Sequence, residues 1–248
     1  MRRLYPTYPE TVDLVATYAY PELPFGGRWL RANMITTVDG AAADARGTSR
    51  GLSGPADRRL LVTLRGLSDV ILVGAATARG EAYKRSRPRP EIVRWRTAHG
   101  LSPAPRLAIV SSSLDFDYRS ELFQADDGPV PIVVTTADAP VLRLATVREL
   151  VDVIEAGVGT VDLGAAVAAL AERGLMRILC EGGPTLLGQL VDAGLVDELC
   201  VTVSPVLAAR PEAPQIMRWS QPRREPFPLR LTEVLEEDGY LFTRYHRG

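Results

Sequence analysis

Residues 178 to 207 read ILCEGGPTLLGQLVDAGLVDELCVTVSPVL, and this stretch decides the fold. Arg177 to Cys180 has the short, continuous apolar character of a strand buried on both faces. Glu181-Gly182-Gly183-Pro184-Thr185 follows as a sharp turn, and Pro184 suits the first turn of a helix, where no N–H is needed. That helix is predicted from Pro184 to Gly194. Glu198 to Val203 is the next strand and stops at Ser204-Pro205. A buried strand, a glycine turn, a helix and a second buried strand make one unit of a parallel α/β sheet.

The same alternation extends outward. Trp29 to Val38 reads as a strand ending at the Asp39-Gly40 turn. Ser53 is expected to N-cap a helix with Pro55 in its first turn, Asp57 at the positive end of its dipole, and Leu60, Leu61 and Leu64 on one face until Gly66. Asp69 to Val73 is a short buried strand, which completes a β-α-β unit. Arg106 to Ser111, Pro131 to Thr135 and Val151 to Ile154 are further strands, and Asp162 caps an alanine-rich helix that ends at Gly174. Leu229 to Leu235 and Tyr240 to Tyr245, joined through Glu236-Glu237-Asp238-Gly239, alternate as an antiparallel hairpin. The fold class is therefore α/β: a mostly parallel central sheet with flanking helices and an antiparallel C-terminal hairpin.

Two segments stand outside this pattern. Residues 1–27, punctuated by Tyr5-Pro6, Tyr8-Pro9 and Tyr20-Pro21, are expected to be an extension packed on the main domain of 28–248, without a fold of their own. Glu81 to Pro105 holds Lys84, Arg85, Arg87, Arg89, Arg94 and Arg96 and reads as a basic loop, either a solvated excursion or a lid for a phosphate-bearing ligand.

Composition narrows the function. The chain has 248 residues, with 29 Lys plus Arg against 30 Asp plus Glu. No overall field draws it to nucleic acid or an anionic membrane, so a polyanion site must be local. Cys180 and Cys200 form no CxxC pair and only His99 and His246 could assist them, so neither a disulfide framework nor a metal site is expected. Apolar runs fall well short of the roughly 20 residues of a membrane span, and Met1 to Pro6 leads into no secretory segment, so a cytoplasmic protein is expected.

The chemistry gathers at strand ends. Gly182 and Gly183 remove every Cβ from their turn, and Pro184 and Thr185 open a helix whose first N–H groups lack intrahelical acceptors; such a crown of amides can bind a diphosphate, or the turn can be merely tight. Glu181, at the carboxyl end of its strand, can accept from a heterocycle's N–H groups, relay a proton, or partner the helix dipole. Gly74-Ala75-Ala76-Thr77 repeats the arrangement more weakly at a second strand end. Gly157-Val158-Gly159 begins a dinucleotide fingerprint, but Asp162 stands where its third glycine belongs. A Gly-x-Ser-x-Gly elbow is absent, and Cys180 reads as core rather than nucleophile.

NMITTVDG (33–40), GTSRGLSGPADRRLLVTLRGLSDVILVGAATA (47–78), residues 178–207 and the closing hairpin together resemble the C-terminal reductase domain of the bifunctional riboflavin-biosynthesis protein RibD. The resemblance implies a dihydrofolate-reductase-like fold, NADPH as cofactor, a homodimer in which 195–207 could lie at the interface, and reduction of the ribosyl group of 5-amino-6-(5-phosphoribosylamino)uracil to ribityl. Carried over by position, Gly183, Pro184, Thr185, Leu186, Leu187, Gly188 and Gln189 would hold the NADPH diphosphate together with Gly182, Gly74 and the Thr77 hydroxyl. Ile35 and Gly51 would touch the cofactor through their backbones. Ser49, Arg65 and Glu181 would face the substrate, with Glu181 or water as proton source, and Asp39 matches the acid of the first-strand turn.

The sequence also departs from that pattern. Where the family has an acidic-Asp-Pro-x-Leu-Thr-x-Arg segment, this chain has Arg79-Gly80-Glu81-Ala82-Tyr83, so Glu81 retains one acid near the cofactor and the downstream arginine lacks a plain equivalent. Gly51 replaces a common Trp and Asn33 a frequent Lys. The zinc-deaminase motifs are missing, so reduction alone is expected of this chain. Two alternatives stay open: a dihydrofolate-reductase-type enzyme, with Asp57 binding the amino-substituted ring of a pterin, and a non-catalytic NADP-binding protein.

Overall fold

The computed structural model describes residues 1–7, 12–23, 27–124, 128–219 and 225–248; Tyr8-Pro9 of the N-terminal extension lies outside them. In chain order the elements are β1 (Arg2–Tyr5), α1 (Leu14–Thr17), β2 (Trp29–Thr37), α2 (Pro55–Leu67), β3 (Val70–Gly74), α3 (Ala75–Gly80), α4 (Pro90–Ala98), β4 (Arg106–Val110) and β5 (Ile132–Thr135). The rest are α5 (Val141–Leu150), β6 (Asp152–Glu155), α6 (Leu163–Glu172), β7 (Arg177–Cys180), α7 (Pro184–Asp192), β8 (Glu198–Ser204), β9 (Leu229–Glu237) and β10 (Tyr240–Arg247).

All ten strands join one sheet in the order β1-β9-β10-β8-β2-β7-β3-β4-β5-β6. From β8 to β6 the pairing is parallel, and β10, β9 and β1 close the other end antiparallel. The expected β2-α2-β3 unit is parallel, but β7 lies between its two strands, so the glycine turn after β7 emerges at the middle of the sheet. Alternation along the strands feeds two sides. Val70 and Leu72 pack with Val167 and Leu170 of α6 and Leu187 and Leu190 of α7, while Ile71 and Val73 face Leu144 and Val147 of α5. Leu60 and Leu64 of α2 cover Leu179, Leu235 and Phe242. The hairpin turns through Asp238 and Gly239, both at positive φ, as a two-residue turn that matches strand twist requires.

Several sequence expectations need correction. Gly54, not Ser53, is the N-cap of α2; a Cβ there would lie 2.7 Å from the Tyr240 hydroxyl, and the Ser53 hydroxyl donates to Asp57 instead, at 2.5 Å. The basic stretch 81–105 is not all loop, because Pro90 starts α4. Its Arg96 is fully buried and donates to the carbonyls of Gly66, Ser68 and Ser102, closing the end of α2. The N-terminal extension supplies an edge strand, β1, against β9. Within the stretch 195–207, β8 is an interior strand flanked by β10 and β2, and Val206 and Leu207 after it are exposed. No helix among the described residues is long and apolar enough to cross a membrane.

Beneath the N-terminal extension lies a buried ionic cluster. Glu198 accepts from Arg31 at 2.7 and 3.1 Å, from Arg244 at 2.7 and 3.2 Å and from the Trp29 indole at 2.9 Å, with Tyr20 beneath the Arg31 guanidinium. Burial pushes the Glu198 carboxyl up, but Arg31 and Arg244 outweigh it and hold it down at about 2. A depressed folded-state value means that the stability it contributes is present above the ordinary value of 4.5 and is lost as pH falls toward 2. Acid titration followed by circular dichroism should therefore show stability declining between these limits. Glu198→Gln, which leaves two buried guanidiniums short of their anion, should unfold about 3–5 kcal/mol more easily at neutral pH.

Candidate active site

The site is built on the turn after β7. Gly182 sits at φ +80°, a conformation side chains disfavour, and its peptide bond to Gly183 is cis. The Gly74 N–H donates to the Gly182 carbonyl at 2.8 Å, and a Cβ on Gly183 would meet the Thr77 hydroxyl at 2.4 Å. The sequence thus presses the turn against the start of α3, with space only for glycine. In the first turn of α7 the Thr185 and Leu186 N–H groups have no intrahelical acceptor, and Pro184 has no N–H to offer.

Glu181 projects beside this turn and is nearly buried. Its Oε1 accepts from Arg65 Nε at 2.7 Å, and its Oε2 accepts from Arg65 Nη2 at 2.6 Å and from the Tyr83 hydroxyl. Arg65 comes from the last turn of α2, and its charge also lies over the Tyr83 ring, 5.4 Å from the centroid. Burial, then the neighbouring Glu181 carboxylate, pushes the Tyr83 hydroxyl well above its ordinary value. Ala82, at φ +48°, turns the chain so that the Tyr83 N–H closes α3 on the Ala78 carbonyl at 2.9 Å.

Two cavities meet at this cluster. A cleft of about 330 Å³ is lined by Asn33, Ile35, Asp57, Thr77, Glu181 and Gly183 among others, and a neighbouring cavity of about 700 Å³ by six arginines, including Arg58 and Arg65, and Lys84. Among the described residues, Glu81 is the one carboxylate that lines the second cavity. Ser49, Ser53, Leu61, Glu81 and Tyr83 line both. A further cavity at the far end of α7, bounded by Val191, Trp219 and Phe227, is mainly apolar and holds none of the expected site residues.

The structure brings together Ile35, Ser49, Asp57, Thr77, Glu81, Glu181, Gly183 and Pro184 in the cleft, with Arg65 behind Glu181. Glu81 binds Ser49 through its backbone N–H and hydroxyl at 2.6 and 2.9 Å, so these two expected contacts form one latch. Other residues lie elsewhere. Asp39 accepts from Thr37 at 2.5 Å and from the Ala208 and Ala209 N–H groups at 3.0 and 2.9 Å, and these bonds hold its carboxyl at about 2; it clasps the loop after β8. Gly51 is packed on Asp44, where a Cβ would lie 2.5 Å from Oδ2, and is absent from both cavity walls. Leu186 and Leu187 point into the core, and the Leu187 N–H is already bonded to Gly183. Gly188 admits the backbone of Arg218, whose carbonyl a Cβ would meet at 2.2 Å. From the stretch 183–189, then, Thr185 and Gln189 present exposed side chains. Tyr83 and Asn33 were not singled out as site residues; both stood in the sequence as departures from the family pattern.

The family model described as the RibD C-terminal domain matches residues 28–235. The chain belongs to this family. Within the RibD relatives, it is 33% identical over 181 residues to the 2,5-diamino-6-ribosylamino-4(3H)-pyrimidinone 5′-phosphate reductase of Methanothermobacter thermautotrophicus, covering 73% of this chain and 79% of that one. It is 28% identical over 206 residues to the riboflavin biosynthesis protein RibD of Escherichia coli, of which it spans about half, 49%. Among solved structures, a pyrimidine reductase-like protein from Corynebacterium diphtheriae superimposes with a TM-score of 0.84 at 33% identity, over 96% of this chain and 99% of that one.

Proposed function

We propose that this RibD-family chain is a reductase of riboflavin biosynthesis that uses NADPH to convert the ribosyl group of a phosphoribosylaminopyrimidine to ribityl. One observation carries the reading: the glycine turn and the arginine-rich cavity open on either side of a shared wall containing Glu81 and Tyr83. A dinucleotide needs the first, a sugar phosphate the second, and the reacting carbon lies where they meet.

The residues present fit the cofactor. The missing Cβ of Gly183 lets the turn close onto the Thr77 hydroxyl, both residues line the cleft, and the first-turn amides of α7 can receive a diphosphate. Bound there, NADPH supplies the hydride. Arg58 and Lys84 line the chamber suited to the substrate's phosphate. Asp57, buried at the start of α2 and lining the cleft, offers an acceptor to the N–H groups of the pyrimidine ring, and Asn33 lines the same cleft as a second polar group. Glu181 fixes the Arg65 guanidinium at the junction by two parallel bonds.

Asp57 also supports the second reading, a pterin reductase, since the same carboxylate could bind an amino-substituted pterin. Its weakness is that a pterin ring leaves the arginine-rich cavity without an anion. Steady-state assays with NADPH should give turnover with 5-amino-6-(5-phosphoribosylamino)uracil, or with the diaminopyrimidinone of the archaeal relatives' name, and little with dihydrofolate. The reverse order supports the pterin reading, and dinucleotide binding without oxidation by any of these supports a non-catalytic role. This reading places the chain in the cytoplasm. A homodimer, with the exposed Val206 and Leu207 of the stretch 195–207 at its interface, is the assembly this reading carries, and sedimentation would detect it.

A further inference from the structure

Reduction at C1 of the ribosyl group opens the sugar ring, and the oxygen that leaves C1 must gain a proton. The wall shared by the two cavities holds three hydroxyls. Ser49 donates to Glu81 at 2.9 Å, Ser53 donates to Asp57 at 2.5 Å, and Tyr83 donates to Glu181. Glu181 is itself an acceptor at both oxygens, each facing a nitrogen of the Arg65 guanidinium. The proton-bearing groups at the junction are therefore these hydroxyls, and a phenol is a far stronger acid than an aliphatic alcohol.

We propose that Tyr83 is the proton donor of the reduction, giving its hydroxyl proton to the ring oxygen that leaves C1, while Arg65 and Glu181 hold the phenol in position. The proposal rests on the reductase reading above. In the step, the hydride adds to C1, the bond from C1 to the ring oxygen breaks and leaves its electron pair on that oxygen, and the Tyr83 proton moves there to make the ribityl hydroxyl. The tyrosinate beside Arg65 then regains a proton from water. Burial and Glu181 keep the phenol protonated at neutral pH, and the alkoxide it meets is a stronger base still. The left-handed turn at Ala82 that aims Tyr83 here falls within the segment where the sequence leaves the family pattern, so this assignment belongs to this chain's own residues.

Tyr83→Phe removes the hydroxyl and keeps the ring. The expected result is a fall in kcat of about 100-fold, with KM for the sugar phosphate and the calorimetric Kd for NADPH both within about threefold of the unaltered chain. A merely structural hydroxyl would move KM and the NADPH Kd together with kcat. Unaltered turnover by Tyr83→Phe, or a loss confined to KM, overturns the assignment and leaves the reductase reading standing. Absence of turnover by the unaltered chain with either phosphoribosylaminopyrimidine overturns the reaction and the assignment with it.

Discussion

Glu181→Gln should lower kcat by roughly 1000-fold while leaving NADPH affinity within about twofold, measured by steady-state kinetics and calorimetry on the same preparation. The size follows from how much one carboxylate organises. It holds both nitrogens of the Arg65 fork and the Tyr83 hydroxyl, groups contributed by α2 and by the segment after α3. An amide of the same shape offers one acceptor oxygen and adds an N–H facing the guanidinium, so the fork cannot stay bidentate. Loss of a single preorganised polar group in an active site commonly costs about 100- to 1000-fold, and here three groups lose their common anchor. NADPH affinity is expected to be spared because the Glu181 side chain bonds Arg65 and Tyr83 and none of the groups of the diphosphate cradle. A kcat within fivefold of the unaltered chain would remove Glu181 from the chemistry.

Gly183→Val should abolish productive cofactor binding, raising the Kd for NADPH by about 100-fold or more. A Cβ at this position would approach the Thr77 hydroxyl to 2.4 Å, and Thr77 is β-branched and short, with little freedom to withdraw. Overpacking of this kind costs about 1–3 kcal/mol, and the added methyls also occupy the seat offered to the diphosphate. The contrast with Gly188 is informative. Its missing Cβ makes room for the Arg218 backbone, so Gly188→Ala should lower the melting temperature and leave the relation between NADPH concentration and rate largely unchanged. Equal loss of NADPH affinity in the two variants would contradict this division of roles.

The parts of the fold legible in the sequence are those with strong punctuation. Strands β2, β3, β7 and β8 are ended by Asp-Gly, Gly-Ala, Gly-Gly and Ser-Pro in turn, and the closing hairpin carries Asp238-Gly239. Helix α3 was not legible because it runs only from Ala75 to Gly80, straight off β3, with no capping side chain. Helix α4 was hidden by its arginines: Arg96 reads as surface charge, yet it is buried because its guanidinium satisfies three carbonyls that would otherwise lack donors. The order of strands could not be read either, since nothing local says that β7, 140 residues downstream of β2, inserts between β2 and β3.

The site divides in the same way. The glycine turn, Glu181, Thr77 and Asp57 were legible because each sits near a strand end or helix start, where chemistry collects, whereas Ser49, in the loop between β2 and α2, and Arg65 were implied only by the resemblance. Asp39 was open to a structural turn role or a ligand role, because a strand-end acid can equally cap a neighbouring loop, as its bonds to Ala208 and Ala209 do. Leu187 and Gly188 came with the turn through the resemblance, but Leu187 is packed in the core and Gly188 is packed against the Arg218 backbone. Tyr83 was passed over because it stands in the segment that differs from the family.

The most direct measurement is a calorimetric titration of the folded protein with NADPH and with NADH, repeated on Gly183→Val. The account predicts saturable NADPH binding, with Kd about micromolar to sub-millimolar, that the substitution removes. No heat from either dinucleotide, in protein whose circular dichroism is that of a folded α/β chain, would contradict it.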